Sequence, residues 1–164
     1  MTVLDVDGLN FTFPAGWTAS KFDEWIFYRN HFAKQRAGVK AVDIVALNPA
    51  KDAFLIEVKD YRHPDTVKPS GLAEAITGKI MDTLAAMLPA RLLANDPDER
   101  NIAAAILKCK SLHVVIHIEQ PQKHQPIVDV ADLKQKLKQT LRAVDSSPKI
   151  VSMVAMRGMQ WEVS

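Results

Sequence analysis

The sequence predicts an α/β fold in which a mixed sheet is flanked by helices. Strand-like apolar runs and segments of helical period alternate along most of the 164 residues, a pattern typical of a sheet with helices packed on it. Hydrophobic residues make up 48% of the chain and charged residues 24%, which is ordinary for a globular domain with one core. No internal repeat interrupts the alternation. We therefore expect a single domain over residues 1–164.

The N-terminal segment predicts a hairpin and then a helix. Two short alternating stretches flank Asp7-Gly8, a dipeptide suited to a two-residue turn, so residues 1–16 should form an N-terminal hairpin. Ser20 can cap a helix, and aromatic residues follow it at helical spacing. This spacing predicts a helix through about residue 34.

Two strands and a long helix are predicted next. The runs VDIVAL and AFLIEVK are separated by turn residues and should form an antiparallel hairpin. After a loop, Ser70 begins a helix in which apolar residues recur every four positions. Pro89 is expected to kink or end this helix.

The remaining elements extend the same pattern. A helix is predicted from residue 96, a strand in LHVVIHIE, an amphipathic helix from residue 129, and two short terminal strands. Residues 20–119 would form the core of the domain, and residues 120–164 would add a C-terminal helix and strands.

Composition narrows the class of protein. No apolar run approaches the roughly 20 residues that cross a bilayer, and acids stand at the N-terminus where a signal peptide has bases, so we expect a cytoplasmic location and no membrane partner. The single cysteine, Cys109, cannot form an intrachain disulfide. A net charge of +2 means that any phosphate-binding surface must be local.

The predicted hairpin at residues 42–59 brings charged residues together. If its turn centres on Ala50, the numbers of facing residues sum to 100 and Asp43 faces Glu57, with Lys59 on the same face. A shift of one residue would turn Asp43 away. Opposed carboxylates repel unless a cation lies between them, and their oxygens suit Mg²⁺. Lys59 would then orient or activate a metal-bound water, a layout for attack on a phosphodiester.

These residues resemble a known active-site signature. Asp43, followed after thirteen residues by Glu57-Val58-Lys59 in an apolar strand, resembles the motif of the PD-(D/E)XK nucleases, which share the restriction-endonuclease-like fold. The element order over residues 20–119 is also similar to the αβββαβ core of that family. Val42 stands where the family name has proline, and the first strand before Asp43 is short or missing.

The resemblance implies a Mg²⁺-dependent endonuclease in which Mn²⁺ can substitute. Asp43 and Glu57 would be metal ligands, the backbone carbonyl of Val58 could add a third, and Lys59 would serve the nucleophilic water. Family members often carry a further acid in the first helix, where this chain has Glu24. Lys79, on the second predicted helix, could reach the substrate phosphate.

Two basic loops should surround the motif. They would form a track for the phosphate backbone of nucleic acid, with DNA favoured over RNA, and a homodimer is compatible with the sequence. The predicted nucleic-acid-binding residues are Lys34, Arg36, Lys40, Tyr61, Arg62, His63 and Lys68. Two alternatives stay open: a non-catalytic nucleic-acid-binding or protein-interaction module that keeps the fold, and an α/β domain with an unrelated ligand.

Overall fold

The computed structural model describes residues 1–63 and 65–164. Its strands are β1 (Thr2–Val6), β2 (Leu9–Phe13), β3 (Thr18–Lys21), β4 (Ile44–Leu47), β5 (Asp52–Asp60), β6 (Ser111–Glu119), β7 (Lys149–Val151) and β8 (Glu162–Val163). Its α-helices are α1 (Ile26–Asn30), α2 (Leu72–Leu93), α3 (Pro97–Ile106) and α4 (Val130–Thr140).

The central sheet has five strands in the order β3-β4-β5-β6-β7. The β3-β4 and β4-β5 pairs are antiparallel, whereas the β5-β6 and β6-β7 pairs are parallel. Helices α2 and α3 connect β5 to β6, and α4 connects β6 to β7, as parallel neighbours require. The predicted α/β class with a mixed central sheet is therefore confirmed.

Two hydrophobic cores lie on opposite faces of this sheet. On one face, apolar residues of β4, β5 and β6 pack with those of all four helices. On the other face, Ile44, Ile56 and Val115 pack against a small antiparallel sheet of order β1-β2-β8. The predicted N-terminal hairpin is thus confirmed as β1 and β2, and it covers the sheet face that the helices leave open.

The helix predicted from Ser20 is wrong over its first part. Residues 18–21 instead form β3, which pairs with β4, and the helical conformation that follows is limited to α1 and two flanking 3₁₀ turns. The Ser20 hydroxyl accepts a hydrogen bond from the Trp25 indole at 2.8 Å rather than capping a helix. The spacing of the aromatic residues reflects their packing into the core rather than a helix. β3 is the strand before Asp43 that was short or missing in the sequence pattern.

The long helix α2 begins later than predicted and continues past Pro89, so of the two predicted effects of this proline, a kink or an end, the end is wrong. Gly71, with a φ of 63°, precedes its first residue, so Ser70 is not the cap. Pro89 lies inside the helix, which continues to Leu93. Proline removes one helical hydrogen bond, but burial of Ala86, Met87 and Ala90 on the core side favours continuation. In the part of the chain that the structure describes, no helix, α2 included, combines the length and the apolarity that a membrane crossing requires.

Candidate active site

The register of the central hairpin matches the predicted one. β4 and β5 pair from Ile44 with Ile56 to Leu47 with Ala53, so the numbers of the paired residues sum to 100. Asp43 directly precedes β4, and its carboxylate oxygen Oδ2 accepts a hydrogen bond from the backbone N–H of Val58 at 2.6 Å. The pairing therefore brings Asp43 to the segment of β5 that carries Glu57 and Lys59.

Glu57 is a fully buried carboxylate that binds two lysines through one oxygen. Its side chain has 0% exposure and lies on the sheet face that packs against the helices. Oε1 lies 2.8 Å from Lys59 Nζ and 2.6 Å from Lys79 Nζ, the latter reaching over from α2. Oε2 is buried and has no hydrogen-bond partner among the residues that the structure describes. One oxygen of a buried charge is thus left unsatisfied, which is costly unless a further group binds there.

The environment moves the pKa values of this cluster. Burial raises the pKa of Glu57 above its usual value of 4.5, and the negative charge of Asp43 raises it further, against the opposing effect of Lys59 and Lys79. Burial of the Lys59 ammonium opposes its charge, but the charge and hydrogen bond of Glu57 and the charge of Asp43 outweigh this, so the pKa of Lys59 is raised. The cluster therefore holds two carboxylates that repel each other, those of Asp43 and Glu57, next to the ammonium groups of Lys59 and Lys79.

Asp23 is a third acid of the cluster that sequence reasoning missed. The backbone N–H of Phe22 donates to the Asp43 carbonyl at 2.9 Å, which fixes the 3₁₀ turn containing Asp23 beside Asp43. Asp23 Oδ1 is buried without a hydrogen-bond partner among residues 1–63 and 65–164. Burial, and then the charge of Asp43, raise the pKa of Asp23. Its position depends on β3, which the sequence pattern did not indicate.

Glu24, the further acid suggested by the resemblance, points elsewhere. Its carboxylate lies 2.8 Å from Lys21 Nζ, and its side chain is 48% exposed. The hydrogen bond to Lys21 lowers the pKa of Glu24, opposite to the shift at Asp23. Of these two adjacent acids, the structure places Asp23 at the cluster.

The donor chemistry of the cluster fits a hard divalent cation. Two of its carboxylates, Glu57 and Asp23, have buried oxygens that lack a partner in the described part of the chain, and carboxylate oxygens are the ligands that Mg²⁺ and Mn²⁺ prefer. Within the described ranges 1–63 and 65–164, however, no group of three or more histidine, cysteine, aspartate or glutamate side chains is already arranged to hold a metal ion. Asp43 and Glu57 therefore have the chemistry of metal ligands, but the Glu57 carboxylate is bound by the ammonium groups of Lys59 and Lys79.

Helix α2 is tied to the segment that leads into Asp43. Thr83 is fully buried; its hydroxyl accepts from the Val42 N–H at 3.1 Å and donates to the Lys79 carbonyl at 2.7 Å. The neighbouring Asp82 accepts from the Lys40 N–H at 3.0 Å. These bonds hold the backbone of Lys79 in a constant position relative to Asp43.

Most of the predicted nucleic-acid-binding residues are at the surface near this cluster. The two loops that carry them leave the same end of the β4-β5 pair, one before Asp43 and one after β5. The exposed residues are Lys34, Arg36, Lys40, Arg62, His63 and Lys68. Arg36 pairs with Asp82 at 2.7 Å and Arg62 pairs with Asp60 at 2.6 Å, so each of these arginines already has a carboxylate partner.

Tyr61 does not fit the role predicted for it. Its side chain is buried at 8% exposure and belongs to the core on the helical face of the sheet. Its backbone N–H donates to the Glu119 carbonyl at 2.8 Å, which continues the pairing of β5 with β6. The ring is therefore not available to stack on a base.

Stability should depend on pH through Glu57. Because its pKa is raised in the folded state, Glu57 contributes stability below pH 4.5, and this contribution is lost as the pH rises through the raised pKa. Glu57→Gln removes the titration. In urea unfolding without metal, from about pH 4 to about pH 8, the free energy of unfolding of wild type relative to the variant should fall. A difference that rises with pH would contradict the raised pKa.

Comparison with known proteins gives one partial match. The chain is 29% identical over 151 residues to a cysteine–tRNA ligase of Neisseria meningitidis serogroup A, in an alignment that covers 74% of this chain and 22% of the ligase. The chain thus spans less than a quarter of the length of that relative. No protein-family profile matches the chain. No solved structure matches it either.

Proposed function

We propose that this protein is a Mg²⁺-dependent nuclease that hydrolyses phosphodiester bonds of nucleic acid. The observation that carries the proposal is the buried carboxylate of Glu57. One of its oxygens has no partner among the residues that the structure describes, and the next residue of the same strand binds Asp43. Lys59 contacts the same carboxylate. A buried acid in contact with an ammonium group, and a second acid bound to the next residue of the strand, are parts that metal-assisted hydrolysis needs.

The strand topology is compatible with a restriction-endonuclease-like core. Three antiparallel strands, β3 to β5, are followed by a helical crossover to the parallel strand β6, and the acidic cluster lies at β4 and β5. In this chain α1 lies between β3 and β4 rather than ahead of the first strand. The core resembles the family in its sheet and departs from it in the position of this helix.

Each residue of the cluster has a distinct role in the proposed hydrolysis. Asp43 and Glu57 would hold the cation, with Asp23 and the Val58 carbonyl as further oxygen donors. A bound Mg²⁺ would stabilise negative charge on the phosphate and lower the pKa of water. Lys59, at the edge of the buried region, is an ammonium with a raised pKa, so it would orient the attacking water and donate a proton to the leaving oxygen, while the proton of the water would pass to solvent.

The exposed basic residues would position the substrate. Arg36 and Arg62 project from the two loops beside the cluster, and Arg binds phosphate oxygens through two donors at once. Because such contacts read phosphate rather than base, they would bring a scissile bond to the cluster without selecting a sequence.

A second candidate function is a non-catalytic nucleic-acid-binding or interaction module with this fold. The partial match favours it, because the relative is named for a reaction on tRNA and a segment similar to this chain takes up less than a quarter of it. The match also makes RNA a substrate to be tested beside DNA. The intact set of Asp43, Glu57 and Lys59 favours the nuclease, since binding alone needs no buried acid.

Cleavage of defined substrates tests the proposal. Wild-type protein should cleave single- or double-stranded DNA or RNA when Mg²⁺ or Mn²⁺ is added and not in the presence of a chelator, and Asp43→Asn purified in parallel should be inactive. Equal activity of the two preparations would indicate a contaminating nuclease. Binding without cleavage of every substrate would favour the non-catalytic module.

A further inference from the structure

Lys79 is the least expected member of the buried cluster. Its ammonium lies 2.6 Å from Glu57 Oε1, although Lys59 already lies 2.8 Å from the same oxygen. One ammonium would neutralise one carboxylate, and the two like charges repel each other. The second oxygen of Glu57 meanwhile lacks a partner among the described residues. Both ammonium groups thus bind Oε1, whereas neither binds Oε2.

The two lysines differ in how firmly they are held at Glu57. Lys59 is two residues along the same strand and on the same face, so its backbone lies at a set distance of about 6–7 Å along β5. Lys79 arrives from α2, across the space between helix and sheet. Its side chain is 19% exposed, and a flexible four-carbon stem allows the ammonium to turn toward solvent while the Thr83 bond keeps the backbone in position.

A divalent cation and the Lys79 ammonium would compete for the same carboxylate. A cation bound at Oε2, the oxygen without a partner among the described residues, would still lie close to the ammonium that is 2.6 Å from Oε1 and would be repelled by it. Lys59 is the more exposed lysine, at 28% against 19%, but it is tied to the strand of Glu57 and has a proposed role in hydrolysis. Displacement of Lys79 would relieve the repulsion without moving the backbone and would leave Lys59 at Glu57.

We propose that Lys79 is an exchangeable counter-ion of Glu57: it neutralises the buried carboxylate in the metal-free protein and is displaced by the divalent cation. The inference rests on the proposed function, because it takes the cluster to be a metal site. Lys79 would then weaken the intrinsic affinity for metal while protecting the metal-free fold from an unsatisfied buried charge. It would be a positioning residue for Glu57 rather than a ligand.

Removing the Lys79 charge should tighten metal binding. Lys79→Met keeps most of the side-chain volume and removes the competing ammonium, so we expect the dissociation constant for Mn²⁺ to fall about 10-fold, within the range of ordinary coupling between two ligands. The metal-free variant should melt at a lower temperature than wild type, and added Mn²⁺ should raise its melting temperature by more. Isothermal titration and thermal unfolding measure both. Lys134→Met, on the exposed surface of α4, removes the same charge and should change neither.

A second measurement uses wild-type protein and does not depend on folding of the variant. Lysines are labelled with an acylating reagent and quantified by mass spectrometry, with and without Mn²⁺. Mn²⁺ should increase labelling of Lys79 several-fold, because the displaced ammonium becomes accessible, and should leave Lys134 unchanged. In Asp43→Asn, which lacks a metal ligand, the increase should disappear.

The outcomes separate this inference from the proposed function. Tighter Mn²⁺ binding by Lys79→Met, or metal-induced labelling of Lys79 in wild type, supports the exchange. Equal or weaker binding by the variant together with constant labelling overturns the exchange and leaves the metal site standing. Lack of Mn²⁺ binding by both wild type and Lys79→Met overturns the metal site itself, and the exchange with it.

Discussion

Lys59→Ala is expected to reduce Mg²⁺-dependent cleavage of nucleic acid by about 10²–10⁴-fold, the usual contribution of a positioned proton-transfer group. Metal binding should be retained or become tighter, because an ammonium is not a ligand and its removal lessens the repulsion of the cation, while in the metal-free variant Glu57 Oε1 keeps its 2.6 Å contact with Lys79. The measurements are the cleavage rate at saturating Mg²⁺ and the Mn²⁺ dissociation constant. A loss confined to the rate would identify Lys59 as a residue of the chemical step.

The matched control for this prediction is Lys138→Ala. Lys138 is exposed on α4, so its removal changes the net charge equally without touching the cluster. Its cleavage rate should equal that of wild type. Full activity of Lys59→Ala would exclude the proposed role of this lysine, and a parallel loss of metal binding would indicate a structural effect instead.

Asp43→Asn is expected to abolish the stabilisation of the protein by divalent metal. In wild type, metal at about 100 times its dissociation constant should add about 2.7 kcal/mol to the free energy of unfolding. The asparagine carbonyl can still accept the 2.6 Å hydrogen bond from the Val58 N–H, so the metal-free fold should persist. The substitution also removes the charge that raises the pKa values of Glu57 and Asp23. Thermal or urea unfolding with and without Mg²⁺ measures the effect.

Asp5→Asn provides the comparison, since Asp5 is an exposed residue of β1. This control should keep the full metal response. If Asp43→Asn keeps it as well, then the cation binds elsewhere and the proposed site is incorrect. If wild type itself shows no metal response, the non-catalytic module becomes the better interpretation.

Local patterns were sufficient for the hairpin that carries the candidate site. Alternating apolar residues on both sides of a turn specify register, because a slip of one residue would move every side chain to the other face. The β4-β5 pairs agree with the predicted sum of 100. The contact of Asp43 with the Val58 N–H, next to Glu57, follows from that register.

Segments whose structure depends on distant partners were not predictable in this way. β3 has little apolar pattern of its own and forms because β4 offers it an edge to pair with. The short helix α1 is supported by Glu99 of α3, whose carboxylate oxygens accept from the Ile26 and Phe27 N–H groups at 2.6 and 3.1 Å. Both elements depend on residues more than 20 positions away, which a local window cannot include.

The sequence by itself determined the α/β class, the two hairpins and the candidate set of Asp43, Glu57 and Lys59, because short-range periodicity and turn chemistry govern these features. Only the tertiary structure decided that Asp23 rather than Glu24 joins the acids, that Tyr61 is buried, and that Lys79 contacts Glu57. The reason is geometric: which side of a turn or helix faces the sheet depends on packing between elements, and the burial that shifts the pKa values exists only after those elements assemble.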